Sequence, residues 1–141
     1  MSSALEEAEI AFSKGEVPVG AVIVKDGKII ARGHNMREQK QNALSHAEME
    51  AINNACKTLG SWRLDGCEMY VTLEPCPMCT GAIINSRIST LIFGAFDSKA
   101  GSVDSVINLC DYPYNHKVEI YGGIMEDECQ EILQKFFKKL R

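Results

Sequence analysis

An Asp-Gly dipeptide between two β-branched runs places the strongest constraint on the fold of this chain. The runs cover residues 19–24 and 29–33, and Asp26-Gly27 lies between them. Asp-Gly suits a type I′ turn, in which both central residues need a positive φ and whose twist matches that of paired strands. The sequence therefore predicts an antiparallel β-hairpin, and the fold must be built around a sheet that contains it.

Helices and strands alternate along the rest of the chain. Apolar residues at helical spacing predict five helices, over residues 4–14, 46–59, 76–85 and 103–109 and in a closing segment that includes 132–140. Apolar runs predict three further strands, over residues 68–73, 90–93 and 118–121. This order indicates an α/β fold, a three-layer α-β-α sandwich around a five-stranded mixed sheet. Ligands of such sheets bind beyond the strand ends, where helices begin.

Local signals mark two of the helix starts. Ser45 is placed to cap the helix over 46–59, and Gly60 is placed to end it. Pro75 follows the strand over 68–73, at a position where the next helix can begin. Both helices are therefore expected to start where a strand or loop leaves the sheet.

Length and composition are those of one ordinary globular domain, predicted to span residues 1–141. The chain is 45% hydrophobic and 24% charged, and a domain of this size buries about two thirds of its unfolded surface without disulfides or structural metals. A metal site in it would therefore serve chemistry. No run approaches the roughly 18 apolar residues of a membrane helix, and the N-terminus is acidic where a signal peptide is basic. We expect a cytoplasmic protein that does not enter membranes.

The net charge and the cysteine content both argue against particular classes of protein. With 15 basic and 19 acidic residues the net charge is −4, which argues against a protein that coats nucleic acid without specificity but leaves room for a local basic patch. Six cysteines in a chain with no export signal indicate reduced thiols or metal ligands more than a disulfide framework.

Two short motifs, His46-Ala47-Glu48 and Cys76-Pro77-Met78-Cys79, together predict a zinc site. Catalytic zinc binds three protein ligands and keeps a fourth position for water, and one histidine with two cysteines is such a set. The two cysteines are three apart in the first turn of a helix, whose N-terminus favours thiolates. Taken alone, the Cys-x-x-Cys motif also fits a redox dithiol or a buried pair.

Glu48 is expected to lie beside the metal without binding it. Residues two apart in the middle of a helix face nearly opposite directions, so His46 and Glu48 can share a site only over the helix N-terminus. A carboxylate beside a zinc-activated water can take the proton of that water and return it to a leaving group.

The combination H-x-E and P-C-x-x-C is the signature of zinc nucleobase deaminases. From end to end the chain resembles the cytidine-deaminase-like superfamily, and its tRNA adenosine deaminase branch in particular. The motifs that carry this resemblance are E-V-P-V-G-A at residues 16–21, G-H-N at 33–35, V-T-L-E-P-C-P-M-C at 71–79, F-G-A-x-D-x-K-A-G at 93–101, N-H at 115–116 and a final F-F before basic residues.

The resemblance implies a role for each matching residue. His46, Cys76 and Cys79 would bind one Zn²⁺ per chain, and Glu48 would be the catalytic proton shuttle. Seven residues would contact the substrate, with Asn35 bonding the base, Val17 and Pro18 lining its pocket, and Asp97, Lys99, Asn115 and His116 on loops around the RNA strand. The implied substrate is the wobble adenosine of a tRNA anticodon loop, which is deaminated to inosine, and the implied assembly is a homodimer.

Basic residues that would meet RNA phosphates are few in this acidic chain. They are Arg37, Lys40, Lys99, Lys117, Lys135, Lys138, Lys139 and Arg141, and the last four equally suit a solvated helix face. Single-stranded loops are held largely by stacking and base-edge contacts, so an acidic protein can still bind one.

Three alternatives stay open on the sequence. The first is a zinc deaminase of a free base such as guanine or cytosine. The second is a catalytically inactive zinc-containing RNA-binding module, against which Glu48 argues because a structural zinc closes its fourth position with another Cys or His. The third is a redox pair formed by Cys76 and Cys79.

Overall fold

A single five-stranded sheet forms the centre of the molecule in the computed structural model, which describes residues 1–140. Its strands in chain order are β1 (Gly20–Lys25), β2 (Lys28–His34), β3 (Glu68–Leu73), β4 (Thr90–Ala95) and β5 (Glu119–Tyr121). The spatial order is β2-β1-β3-β4-β5. The β1 strand pairs antiparallel with β2 and β3, whereas the β3–β4 and β4–β5 pairs are parallel. The predicted five-stranded mixed sheet is confirmed.

Helices cover both faces of the sheet. They are α1 (Ser2–Ser13), α2 (Arg37–Lys40), α3 (Ala47–Leu59), α4 (Pro77–Asn85) and α5 (Glu126–Lys139), with a 3₁₀ helix at Leu109–Asp111. The α1 and α5 helices contact each other on one face, and α3 and α4 contact each other on the other face. This is the predicted three-layer sandwich. Within residues 1–140, none of the helices has the length and apolar character needed to cross a lipid bilayer.

The hairpin forms at the predicted dipeptide. Asp26 has a φ of 51° and Gly27 a φ of 76°, the pair of positive values that a type I′ turn requires. The two strands keep their pairing as far as Gly20 opposite His34, at the end of the sheet remote from the turn. The hairpin thus places Asn35, the residue after β2, at the end of the sheet where α3 and α4 begin.

A glycine lets α3 approach the sheet closely. A Cβ atom at Gly33 would lie 2.5 Å from the Ala47 carbonyl oxygen and 2.5 Å from the Ala51 backbone nitrogen. These are backbone atoms and cannot rotate away, so the position excludes any side chain. The contact fixes the first turn of α3 against the end of β2, next to Asn35.

The main core lies between the sheet and the α3–α4 layer. Its largest fully buried apolar side chains include Leu64, Met69, Ile83, Leu91 and Phe93, all at most 1% exposed. Burying a side chain of this size stabilises a fold by roughly 1.5–3 kcal/mol. The core therefore holds α3 and α4 side by side.

Two predicted helix starts are one or two residues off. The α3 cap is His46 in place of Ser45, and the α4 cap is Cys76, with Pro77 at the first helical position in place of Pro75. Both capping residues have extended backbones, with ψ of 158° at His46 and 175° at Cys76. Gly60 ends α3 in a left-handed conformation, as predicted.

Two loops differ from the sequence prediction because distant glutamates hold them. The helix predicted over residues 103–109 does not form, and only Leu109 falls in a helix, the 3₁₀ helix. The N–H groups of Val103, Asp104 and Ser105 donate instead to the carboxylate of Glu74. The short helix α2 was not predicted from the sequence, and it begins where the Glu38 and Gln39 N–H groups donate to the carboxylate of Glu16. Arg141 lies outside the described residues.

Candidate active site

Three side chains that can bind a metal converge at the starts of α3 and α4. His46 Nδ1 lies 3.6 Å from Cys76 Sγ and 3.6 Å from Cys79 Sγ, and the three ligand atoms lie within 4.8 Å of one another. His46 and Cys76 occupy the two helix caps, and Cys79 lies one turn into α4. The predicted cluster therefore forms, and it uses Nδ1 of the imidazole.

The spacing of these atoms fits zinc. Zinc–nitrogen bonds of about 2.0–2.1 Å and zinc–sulfur bonds of about 2.3 Å at a tetrahedral angle separate nitrogen from sulfur by about 3.6 Å. The structure has this separation for both cysteines. One imidazole and two thiolates are also a ligand set that zinc accepts in catalytic sites.

The surroundings of the two cysteines favour a negative charge on one of them. Hydrogen bonding from the Cys79 thiol, and then from His46, lowers the pKa of the Cys76 thiol to about 4. The pKa of Cys79 is raised by its bond to Cys76 and by burial. A site that already stabilises one thiolate is prepared for a cation, because metals bind the deprotonated sulfur.

Glu48 lies beside the cluster, at the second position of α3. Its side chain is buried, with 4% of the residue exposed, and it lines the same cavity as His46 and Cys76. Burial raises the pKa of its carboxyl to about 7. Because His46 caps the helix with an extended backbone, two residues that are only two apart in sequence face one site.

A cavity of about 160 Å³ opens over the cluster. Pockets that hold drug-sized ligands measure about 300–1,000 Å³, so the enclosed space suits one flat heterocycle with the rest of its molecule outside. The residues that line it are Val17, Val19, Asn35, Arg37, His46, Ala47, Glu48, Leu73, Glu74, Cys76, Asp97 and Ala100.

Asn35 is held in the wall of this cavity by two hydrogen bonds. Its side-chain amide donates to the Val17 carbonyl over 3.2 Å, and its oxygen accepts the Arg37 N–H over 3.1 Å. An amide can donate twice and accept twice, so one donor and one lone pair stay available. Val17 lines the cavity, and so does Val19, whereas Pro18 is buried and does not line it.

Asp97 lines the opposite wall. Its N–H donates to Glu74 Oε1 over 3.0 Å, and its own carboxylate accepts the N–H groups of Lys99 and Ala100. Lys99 is exposed and lies outside the lining. Of the predicted pair on this loop, the structure therefore brings Asp97 to the cavity.

Asn115 and His116 lie away from the cavity. His116 Nε2 donates to the Ile88 carbonyl over 2.7 Å. Ile88 precedes β4, whereas Cys76 follows the parallel strand β3, so the two residues lie at opposite ends of the strands. The structure does not place this pair with the cluster of the same chain.

Glu74 is the residue of the cavity wall that sequence reasoning overlooked. It is 2% exposed, and although burial opposes its ionisation, bonds from Ser105 and from the backbone of Asp97 and Asp104 hold the pKa of its carboxyl below the usual value. Its place directly before Pro75-Cys76 was the available signal, but its partners lie 23 to 31 residues away.

Comparison with known proteins agrees with this geometry. The MafB19-like deaminase family matches residues 1–141. The chain is 51% identical to the tRNA-specific adenosine deaminase of Bacillus subtilis, covering 100% of this chain and 88% of that protein. It is 53% identical to the tRNA-specific adenosine deaminase of Aquifex aeolicus, covering 98% and 91%.

A solved structure from studies of A-to-I editing by tRNA:A34 deaminases at the wobble position superimposes with a TM-score of 0.91. It is 44% identical, and the match covers 94% of this chain and 96% of the other. The cytidine-deaminase-like fold implied by the sequence motifs is thereby confirmed. The chain belongs to the MafB19-like deaminases, in the group that contains the bacterial tRNA-specific adenosine deaminases.

Proposed function

We propose that this protein is a zinc-dependent hydrolytic deaminase that converts adenosine to inosine at the wobble position of tRNA. The observation that carries the proposal is that one cavity is lined by the buried Glu48 and by His46 and Cys76, two members of the His46–Cys76–Cys79 cluster. Hydrolytic deamination needs a group that activates water and a separate group that moves protons. The names of the relatives supply the substrate.

His46, Cys76 and Cys79 would hold one Zn²⁺ per chain and leave one coordination position free. When bound, zinc would lower the pKa of a water molecule to about 7 and make it a nucleophile at neutral pH. The chain contributes the fixed positions of the three ligands, since two of them cap helices that are packed side by side.

Glu48 would carry the protons of the reaction. The attacking water gives up a proton to the Glu48 carboxylate as its oxygen bonds to C6 of adenine, and the carboxyl passes that proton to the ring nitrogen. A second proton, from the new C6 hydroxyl, would then pass through Glu48 to the exocyclic amine, which would leave as ammonia, and the ring would become hypoxanthine. Burial of Glu48 keeps bulk water from competing for these transfers.

Asn35 and Val17 would orient the base, with the buried Pro18 directly after Val17. The free donor and lone pair of the Asn35 amide suit the edge of a purine, and Val17 offers an apolar contact for its face. The enclosed volume admits a base but not a stacked nucleotide, so the adenosine would enter after extrusion from the anticodon loop.

The RNA strand would lie across the mouth of the cavity. Asp97 and Arg37, which line the cavity, and the exposed Lys99 would meet the ribose and phosphates that flank the extruded base. The proposal that Asn115 and His116 also contact RNA rests on the sequence resemblance alone.

We further propose that the protein works as a homodimer in the cytoplasm, where its tRNA substrate is found. Several large apolar side chains of the segment after residues 97–105 are exposed, namely Val106, Ile107, Tyr112 and Tyr114. A cluster of this kind on a soluble domain commonly marks a protein interface. Sedimentation equilibrium should give twice the chain mass of 15.6 kDa, and a mass of 15.6 kDa would contradict the dimer.

The deciding experiment incubates zinc-loaded protein with unmodified tRNA transcripts made in vitro and sequences the products. We expect adenosine at the wobble position to be read as guanosine, because inosine pairs as guanosine does. Unchanged wobble positions in the presence of protein with one zinc per chain would refute the tRNA assignment.

A parallel assay separates this function from the closest alternative. Free adenine, guanine and cytosine are compared with a synthetic anticodon stem-loop by measuring ammonia release. Turnover of the stem-loop alone supports the proposal, whereas turnover of free guanine or cytosine alone would identify a free-base deaminase. Zinc content without ammonia release from any of these substrates would identify an RNA-binding module.

A further inference from the structure

Glu74 is a buried carboxylate that accepts hydrogen bonds from the loop forming one wall of the cavity. It has no part in the proton transfers proposed for Glu48. This loop, residues 97–105, is called the Asp97 loop below. Glu74 Oε1 accepts the Asp97 N–H over 3.0 Å and also the Ser105 hydroxyl. Its Oε2 accepts the N–H groups of Val103, Asp104 and Ser105, over 3.3, 2.9 and 2.9 Å. Five donors from both ends of one loop thus converge on a single side chain.

The backbone of the Asp97 loop packs closely against the Glu74 carboxylate. A Cβ atom at Gly101 would fall on the Glu74 carboxyl group, and it would also lie 2.5 Å from the Asp97 carbonyl. Gly101 N–H donates to that carbonyl over 2.9 Å, and Ser102 N–H donates to the Pro75 carbonyl over 2.9 Å. Further backbone bonds therefore tie the loop to the segment that leads into Cys76.

Glu74 also lies at a junction in the chain. It follows β3 directly and stands two residues before Cys76, and its own N–H donates to the Ala95 carbonyl at the end of β4 over 2.9 Å. One residue therefore connects the strand ends, the turn that bears the metal ligand and the wall that bears Asp97.

We infer that Glu74 is a positioning residue that sets the Asp97 wall of the cavity at a fixed distance from the metal cluster. This inference rests on the proposed function, because the position of the wall affects substrate binding only if the substrate is a base held in RNA. Glu74 itself does not touch the reacting atoms. It acts through Asp97, whose backbone it holds directly and whose side chain would meet the nucleotide.

The variant Glu74→Gln tests this with a change of one atom. A glutamine has a single acceptor oxygen, and three of the five donors point at Oε2. The amide oxygen is therefore expected to keep Val103, Asp104 and Ser105, and the amide nitrogen to replace Oε1. The Ser105 hydroxyl can rotate and accept from that nitrogen, but the Asp97 N–H loses its acceptor.

Amide hydrogen exchange measures this selective loss. In Glu74→Gln we expect the Asp97 amide to exchange at least about tenfold faster, while the amides of residues 103–105 keep their protection. Glu7→Gln is the matched control, because Glu7 is also buried but bonds His34 and Arg32 on the α1 side of the sheet. Unchanged exchange at Asp97 in Glu74→Gln would overturn the inference.

Kinetics with an anticodon stem-loop separate positioning from general damage. Glu74→Gln should keep one zinc per chain and raise KM by about 10- to 100-fold, with kcat within about threefold of the unaltered protein. Glu7→Gln should leave KM unchanged. A fall in kcat at unchanged KM, or loss of zinc, would overturn a positioning role.

If the unaltered protein does not deaminate RNA at all, the proposed function fails, and the exchange comparison still decides whether Glu74 holds Asp97. The two failures are therefore distinguishable.

Discussion

At the scale of single residues, the candidate metal ligands owe their positions to the backbone. His46 and Cys76 both precede a helix with an extended conformation, so that each side chain projects over the N-terminal end of the helix that follows. Cys79 lies one turn into α4 and is fully buried. Ligands held in this way need few side-chain neighbours to orient them.

Replacing Glu48 by glutamine separates proton transfer from metal binding. Glu48→Gln should retain about one zinc per chain, because the carboxyl lies beside the cluster and not in it. Deamination of the stem-loop should fall by a factor on the order of 10² to 10⁴, the usual contribution of a positioned acid–base group. Zinc analysis and single-turnover rates measure the two effects, and near-full activity or loss of zinc would contradict the assigned role.

Replacing one cysteine tests the cluster itself. Cys79→Ala should abolish stoichiometric zinc, because two remaining ligands cannot complete a catalytic site. Cys56→Ala is the matched control, since Cys56 lies near the end of α3 and its Sγ faces the Trp62 carbonyl at 3.9 Å. Metal analysis of both proteins, purified without chelator, should give near zero and about one zinc per chain. Equal zinc in the two variants would exclude the cluster as the binding site.

At the scale of elements, the docking of α3 on the hairpin depends on Gly33. Gly33→Ala should destabilise the fold by about 1–3 kcal/mol, because its methyl group would collide with backbone atoms of α3. In the control Gly81→Ala, no atom lies within 4 Å of the added methyl group in α4, and the protein should gain roughly 0.5–1 kcal/mol. Urea unfolding measures both, and a neutral Gly33→Ala would contradict the close packing.

The elements that sequence patterns predicted best are those fixed by neighbours in the chain. The Asp26-Gly27 turn and the left-handed Gly60 depend on local backbone preferences, and both form where expected. The α2 helix and the non-helical Asp97 loop depend instead on carboxylates more than 20 residues away. A periodicity argument contains no information about such partners.

The residues of the candidate site also differ in how well the sequence alone could predict them. His46, Glu48, Cys76 and Cys79 stand in short motifs whose chemistry is legible from spacing, and the structure assembles all four. The walls of the cavity combine segments near residues 17, 35 and 97, and their side chains are ordinary types in sequence. Asn35 and Val17 were found through family resemblance, and Arg37 was a candidate phosphate contact by its charge alone, while Glu74 needed the fold.

At the scale of the whole molecule, the net charge of −4 limits how RNA can be held. Arg37 lines the cavity, and the exposed Lys99 lies two residues after Asp97, which also lines it. Each phosphate that a protein neutralises on a single strand contributes about −0.7 to the slope of log affinity against log salt concentration. Even if Lys40 and Lys117 join Arg37 and Lys99 in neutralising one phosphate each, the slope for an anticodon stem-loop should be no steeper than about −3.

Fluorescence anisotropy from about 50 to about 200 mM salt checks this expectation. Arg37→Gln should reduce the slope by roughly 0.7, whereas Lys28→Gln, in the hairpin turn at the remote end of the sheet, should not change it. A slope of about −6 or steeper, or equal slopes for the two variants, would show that other cations hold the RNA.

The carboxylate of Glu16 has a consequence for how this protein can change over time. It holds α2 through the backbone N–H groups of Glu38 and Gln39, so the anchoring does not depend on which side chains stand there. Residues 37–44 are all exposed beside the cavity mouth. Arg37 is expected to meet RNA, Gln41 has a left-handed φ of 48°, and the Asn42 side chain accepts the Leu44 N–H. The other side chains of the segment can be randomised in a library while Glu16, Asn35 and Ser45 are kept. Selection on that segment is the route by which such a scaffold would acquire a new preference for the nucleotides beside its target.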